Sequence, residues 1–177
     1  GRERTEGVFP LLTKIIDAKA DLSIQVHPSD DYAKVHENGS LGKTECWYIL
    51  DCPEGATLVV GHNAADKEEC AKMIHEGRWS EFIREVPVHK GDFVSIVPGT
   101  VHAIKAGVML LETQQNSDIT YRVYDYDRLS NGKKRELHVE KSIDVINAPA
   151  APAENSIHNF ANVAKNTPVL MEKSAYY

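Results

Sequence analysis

Leu22-Ser-Ile-Gln-Val-His27-Pro28 is the stretch on which the reading of this chain turns. Apolar and polar residues alternate strictly from 22 to 27, the period of a β-strand with two unlike faces. Leu22, Ile24 and Val26 take one face, and Ser23, Gln25 and His27 take the other. Pro28 cannot donate to a ladder and ends the strand. A face that is merely wet tends to carry Thr, Lys or Glu, so Gln and His two residues apart raise the question of a site. The plain alternative is an exposed polar face.

Outward from this strand the same signals recur. Glu45-Cys-Trp-Tyr-Ile-Leu50 and Thr57-Leu-Val-Val60 read as strands split by Pro53-Glu-Gly55. Ser29-Asp30-Asp31 offers capping oxygens for a short turn toward Asn38-Gly39. Residues 64–76 form the clearest helix, capped by Asn63 and stopped by Gly77, and residues 79–85 read as a shorter second helix. Strands return over residues 93–97, 108–114 and 119–126, and residues 138–146 read as one more. Ala148-Pro-Ala-Ala-Pro152 reads as a linker. The tail from Glu154 has weak periodicity and is read as packing against something beyond this chain. Many short strands with Gly and Pro turns, plus one inserted helical pair, predict a mainly β fold. The architecture expected is a double-sheet barrel of jelly-roll type, with the helices near residues 64–85 on its outside.

Composition narrows the function. The chain has 177 residues, 42% of them hydrophobic, enough for one domain with its own core. The formal charge is −6 and no basic stripe is visible, which argues against a nucleic-acid partner. An anionic substrate then needs local cations or a metal to override the global sign. No apolar run is long enough to span a bilayer, and no basic-then-apolar leader is present. Cys46, Cys52 and Cys70 are an odd set without C-x-x-C spacing, read as thiols in a reducing cytoplasm. Nothing in the sequence points to an oligomeric state.

Chemistry concentrates in three places. Gln25 and His27 share a face of the first strand, Lys43, Glu45 and Trp47 share a face of the second, and His102 follows the turn Pro98-Gly99. Each has a bland reading: a wet face, a solvated charge at a strand start, a turn histidine. Together, two imidazoles, a carboxylate and an amide oxygen make a mixed N/O donor set that suits one zinc ion. Manganese, iron or cobalt would also fit. His36, His62, His75, His89, His138 and His158 lack such partners and read as surface or capping residues.

These residues resemble a known family. Gln25-x-His27-Pro28, Lys43-Thr-Glu45 and Gly91-Asp…Pro-Gly-Thr-Val-His102-Ala occur in the order found in type I mannose-6-phosphate isomerase. The stretch from Leu111-Glu112 through Asp118 and Arg122 to Arg128 is similar to the bacterial class. The resemblance implies a cupin fold, zinc ligands at Gln25, His27, Glu45 and His102, and an active-site arginine at Arg122. The family usually places the proline one position earlier, as Pro-x-Gly, where this chain has Val97-Pro98-Gly99. It also implies a longer protein, with residues 1–147 as the metal-binding catalytic domain and residues 148–177 as a linker and the start of a C-terminal segment.

The reaction implied interconverts mannose 6-phosphate and fructose 6-phosphate through an enediol. Arg122 and Tyr124 are expected to share a strand face, with Arg122 supporting enediol or phosphate charge through its guanidinium fork. Lys43 would add a point charge, with Ser23, Lys43 and Tyr124 lining the substrate. Glu112 is a candidate catalytic group or an orienting partner; the base stays open between Glu112, Asp118 and a hydroxide on the metal. The rival readings are another metal-dependent cupin enzyme and a non-catalytic sugar-phosphate binding module.

Overall fold

A computed structural model describes residues 9–174; residues 1–8 and 175–177, including the Tyr176-Tyr177 end, lie outside the described residues. The strands are β1 (Leu11–Asp17), β2 (Ile24–Val26), β3 (Glu45–Asp51), β4 (Thr57–His62), β5 (Ile83–Pro87), β6 (Asp92–Ile96), β7 (His102–Ala103), β8 (Met109–Gln115), β9 (Tyr121–Tyr124), β10 (Leu129–Ser130), β11 (Lys133–Lys134) and β12 (Ile157–Asn159). The helices are α1 (Asp30–His36), α2 (Lys67–His75), α3 (Trp79–Phe82) and α4 (Val139–Val145). Two antiparallel five-stranded sheets face each other, in the orders β1-β8-β3-β6-β12 and β5-β4-β7-β2-β9. This is the mainly β double-sheet architecture expected from the sequence.

Each sheet has an inner and an outer face, and the apolar residues divide accordingly. Trp47, Ile49, Leu58, Val60, Val94 and Leu110 belong to one buried cluster between the sheets. Ile24, Val26, Val59, Met73, Phe82 and Ile146 belong to a second, in which the outer face of the β2 sheet is covered by α2, α3 and α4. The helical pair therefore does sit outside the barrel. Covering that face frees the inner side of β2 for polar residues.

Several elements differ from the sequence reading. The helix read over residues 64–76 starts at Lys67 behind an Asp66 cap, and Asn63 instead donates to the Glu81 and Ile83 carbonyls. β1 was not anticipated: Leu-Leu-Thr-Lys-Ile-Ile-Asp has no clean alternation, because an edge strand is only half covered on either face. Residues 83–87 are strand, paired to β4, because β-branched Ile83 and Val86 suit the ladder once α3 ends at Phe82. Residues 139–145 are helix, not strand. Val139, Ile143 and Ile146 recur at helical spacing and pack as one stripe on the outer cluster. The tail packs within this chain: Ile157–Asn159 pairs with β6, so the first sheet continues past the expected boundary after residue 147.

Close backbone approach joins the first two site-bearing segments. The Gly42 N–H donates to Asp30 Oδ1 at 2.7 Å and the Lys43 N–H to the Pro28 carbonyl at 3.1 Å. A Cβ on Gly42 would stand 2.5 Å from the Asp30 nitrogen and 2.7 Å from the Pro28 oxygen, both backbone atoms that cannot swing away. Gly42→Ala is expected to lower stability by about 1–3 kcal/mol, the usual range for overpacking, measured by urea unfolding. An unchanged midpoint would show that the loop is free to move.

Candidate metal centre and substrate cleft

Glu45 opens β3, a central strand paired on one side to β6 and on the other to β8. That position fixes its side chain inside the barrel, where it is fully buried. His27 follows β2, and His102 opens β7 opposite Gln25. The three ligand atoms of His27, Glu45 and His102 all lie within 4.8 Å of one another. His27 Nε2 is 3.3 Å from Glu45 Oε1, and His102 Nε2 is 3.7 Å from Glu45 Oε2. Three of the four residues expected as metal ligands thus converge. The fourth, Gln25, has its Nε2 3.3 Å from His102 Nε2, and half a turn of the amide brings Oε1 to that place.

The tautomers follow from the outer partners. His27 Nδ1 lies 3.0 Å from the Ile119 carbonyl and His102 Nδ1 2.8 Å from the Thr100 carbonyl. A carbonyl only accepts, so each Nδ1 carries the proton and each Nε2 turns a lone pair toward Glu45. Burial first, then the neighbouring His27, pushes His102 down to about 3; burial likewise lowers His27. Both rings are neutral near pH 7. Burial opposes ionisation of Glu45, while the Lys43 ammonium at 2.6 Å from Oε1 favours the carboxylate. The result is a carboxylate and two imidazole lone pairs pointed at one place.

That arrangement calls for a cation. Neither carboxylate oxygen of Glu45 accepts a hydrogen bond among the described residues. Lys43 Nζ stands 2.6 Å from Oε1 as an ion pair and 3.3 Å from His27 Nε2. A buried carboxylate with one point charge and unfilled lone-pair directions is costly unless more positive charge is held there. The donor set and its orientation fit a divalent ion.

Gln25 also opens onto a cleft of about 680 Å³, lined in addition by Ser23, Asp118, Arg122, Arg128 and Arg135. Ser23 and Arg122 line the same cleft as Gln25. Tyr124 does not. The pairing of β2 with β9 shifts between Ile24 and Gln25, so that Gln25 faces Arg122 while Ile24 faces Tyr124. This bulge at Val123 turns Tyr124 outward, where its ring stacks on Trp79 at 4.3 Å. Glu112 is buried but does not line the cleft. It accepts from Lys14 Nζ at 2.7 Å and from Trp47 Nε1 at 3.2 Å, and Trp47 stands edge-on to His102 with ring centroids 5.5 Å apart. His62 is no surface residue: it is buried, stacked on Phe82 and 2.9 Å from the Asn147 carbonyl.

Sequence reasoning missed Lys14, Asp125, Arg128 and Arg135. Lys14 lay in the unrecognised β1. The two arginines come from the segment after β9 and are brought together only by Asp125, with Arg128 Nη2 and Arg135 Nη2 each 2.5 Å from its Oδ1. Arg122 pairs with neither Asp125 nor Asp127; Asp127 is taken by Lys134 at 2.6 Å.

Fold and site together define a cupin-type β barrel with a buried His–Glu–His cluster of metal-binding geometry. The chain's similarity is to the type I phosphomannose isomerases. Residues 2–48 match the family model "Phosphomannose isomerase type I, catalytic domain". The chain is 59% identical over 152 residues to mannose-6-phosphate isomerase ManA of Bacillus subtilis, covering 85% of this chain and 48% of that protein. It is 55% identical over 151 residues to mannose-6-phosphate isomerase of Streptococcus mutans, covering 82% and 48%. The crystal structure of mannose 6-phosphate isomerase from Bacillus subtilis superposes with a TM-score of 0.80 at 52% identity, covering 85% of this chain and 49% of that one. The chain spans about half the length of these relatives.

Two outcomes follow from the electrostatics. Zinc at a hundredfold excess over its Kd is expected to add about 2.7 kcal/mol to the stability of the intact protein, and Glu45→Gln to abolish the gain. Equal zinc stabilisation of both forms in thermal unfolding would remove Glu45 from the centre. Asp125 is lowered from 3.8 to about 2, chiefly by its hydrogen bond from Arg135 and despite partial burial. A carboxyl depressed on folding contributes stability that is complete above its unfolded pKa and is lost as pH falls through the folded one. Unfolding free energy is therefore expected to fall from about pH 4 toward pH 2, with a shallower slope in Asp125→Asn.

Proposed function

We propose that this chain supplies the metal-binding catalytic region of a type I mannose-6-phosphate isomerase. Such an enzyme interconverts mannose 6-phosphate and fructose 6-phosphate, an aldose and its ketose isomer. The observation that carries the reading is Gln25, which stands beside His102 of the buried cluster and also lines the open cleft. A sugar in the cleft would have its reacting end at the cluster. Curated relatives named as this isomerase, at 59% and 55% identity, support the same reading.

His27, Glu45 and His102, with Gln25 through its amide oxygen, would hold one divalent ion, and the two-nitrogen, two-oxygen donor set suits zinc. When bound, the ion supplies Lewis-acid polarisation of substrate oxygens, worth several kcal/mol as enediol charge develops. The chain's own groups do the rest. Lys43 places a buried ammonium beside Glu45, within reach of the same negative charge. Ser23 offers a hydroxyl from the wall that carries Gln25. Arg122 has one Nη1–H bound to the Glu136 carbonyl at 2.7 Å and no carboxylate partner among the described residues, which leaves its charge for the substrate. Of the two carboxylates considered as base, Asp118 lines the cleft. Glu112 is engaged by Lys14 and Trp47, and its part is to hold Trp47 against His102. The three cysteines form no disulfide among the described residues, which fits a reducing cytoplasm. No described helix is long and apolar enough to cross a membrane.

The test is metal content together with turnover of mannose 6-phosphate by the intact protein. About one zinc per chain and zinc-dependent isomerisation are expected, with Arg122→Ala lowering kcat/KM by about a hundredfold. An unchanged kcat and KM in that variant would discard the arginine's role. Oxygen-dependent turnover with bound iron would discard the isomerase.

A further inference from the structure

Arg122, Arg128 and Arg135 all line the cleft that opens at Gln25, on the wall formed by β9 and the β10–β11 hairpin. Their hydrogen bonds are unequal. Arg128 is spent on structure: Nε donates to the Asp125 carbonyl, Nη1 to the Asp21 carbonyl and Nη2 to the Asp125 carboxylate. Arg135 grips the same carboxylate in a fork, Nε to Oδ2 at 2.7 Å and Nη2 to Oδ1 at 2.5 Å. Its Nη1 has no partner among the described residues, so that edge of the guanidinium is open.

Charge sharpens the point. One carboxylate, Asp125, serves two guanidiniums, and Arg122 has none. The Arg122 Nε–H is buried without an acceptor, and Arg122 and Arg135 repel each other. Of the acids that line the cleft, Asp21 turns its Oδ1 to the Ala106 N–H at 2.8 Å, and neither Asp17 nor Asp118 forms an ion pair with these arginines. Arg122 Nη2 and Arg135 Nη1 have no partner among the described residues, and both guanidiniums line one space, which suits a tetrahedral dianion better than any neutral group.

We propose that Arg135, held in place by Asp125 and acting with Arg122, is the phosphate-recognising group of the cleft and sets its preference for phosphorylated sugars. This rests on the isomerase reading for the identity of the sugar, but not for the seat itself. Asp125 is a positioning residue: it aims the Arg135 fork and does not touch the ligand. Because Asp125 takes Nε and Nη2, the outer edge of Arg135 is presented rigidly, which lowers the entropy lost on binding. Arg128 anchors the carboxylate from the other side and ties the segment to the β1–β2 connection.

The experiment uses the intact protein and two probes, inorganic phosphate by calorimetry and mannose 6-phosphate by turnover. Arg135→Met is expected to weaken phosphate binding and raise KM by about tenfold to a hundredfold, the loss of charge-assisted hydrogen bonds, while kcat changes by less than about threefold. Arg135→Lys should recover part of the affinity, and Asp125→Asn should mimic Arg135→Met in KM more than in kcat. Unaltered phosphate affinity in folded Arg135→Met would overturn the proposal, as would a loss confined to kcat. Should Asp125→Asn fail to fold, Arg135→Met, on a half-exposed hairpin residue, decides alone. If the wild-type protein binds phosphate through Arg135 yet does not isomerise mannose 6-phosphate, the seat stands and the isomerase reading falls.

Discussion

The Glu45 carboxylate is the constraint on which the rest of this structure depends. A fully buried ionised group with no hydrogen bond to either oxygen is tolerated only where positive charge is guaranteed. The chain provides the Lys43 ammonium at 2.6 Å and two neutral imidazoles whose lone pairs face the same place. Each imidazole is locked by a backbone carbonyl behind it, at Ile119 and at Thr100. Those carbonyls belong to loops, and the loops are themselves pinned: the Gly99 N–H donates to the His27 carbonyl at 2.9 Å, and Lys43 is tied to Pro28. Preorganisation of the cluster is thus a property of backbone connections between segments 27–28, 42–45 and 99–102, and not of any one side chain.

Much of this was legible in the sequence, for a definable reason. Strict alternation over 22–27 gives both the strand and the shared face of Gln25 and His27, and period two likewise places Glu45 and Trp47 together. What alternation cannot show is an irregularity in pairing. The bulge opposite Ile24 and Gln25 separates Tyr124 from Arg122, although two residues apart they would share a face in a regular strand. Nor does local pattern reveal an edge strand such as β1, whose side chains are half covered on both faces. The helix at 139–145 was hidden by its Val and Ile content, which mimics a strand, while its spacing serves packing on the outer cluster. Arg128 and Arg135 lie in segments with no period at all and become a pair only through Asp125.

The two apolar clusters explain how a barrel this small has room for so polar an interior. If the core were only between the sheets, every inward position would be needed for packing. Here the helices cover the outer face of the β2 sheet, so Ile24, Val26 and Val59 are buried there and contribute stability from outside the barrel. The inner face at that end is released for Ser23, Gln25, His27 and His102. The other end of the barrel interior keeps its conventional filling of Leu58, Val60, Val94 and Leu110. Site and core are two ends of one space.

The bulge at Val123 links the outer packing to the cleft wall. Without it, β9 would send Arg122 and Tyr124 to the same side, and one of the two would be misplaced. With it, Tyr124 stacks on Trp79 and adds its ring to the helical layer, while Arg122 stays opposite Gln25 on the cleft wall. The same extra residue increases local twist and bends the strand. Immediately after it come Asp125 and the hairpin that carries Arg135. One inserted residue therefore secures the outer packing, keeps the first guanidinium inside, and starts the turn that brings the others to the cleft.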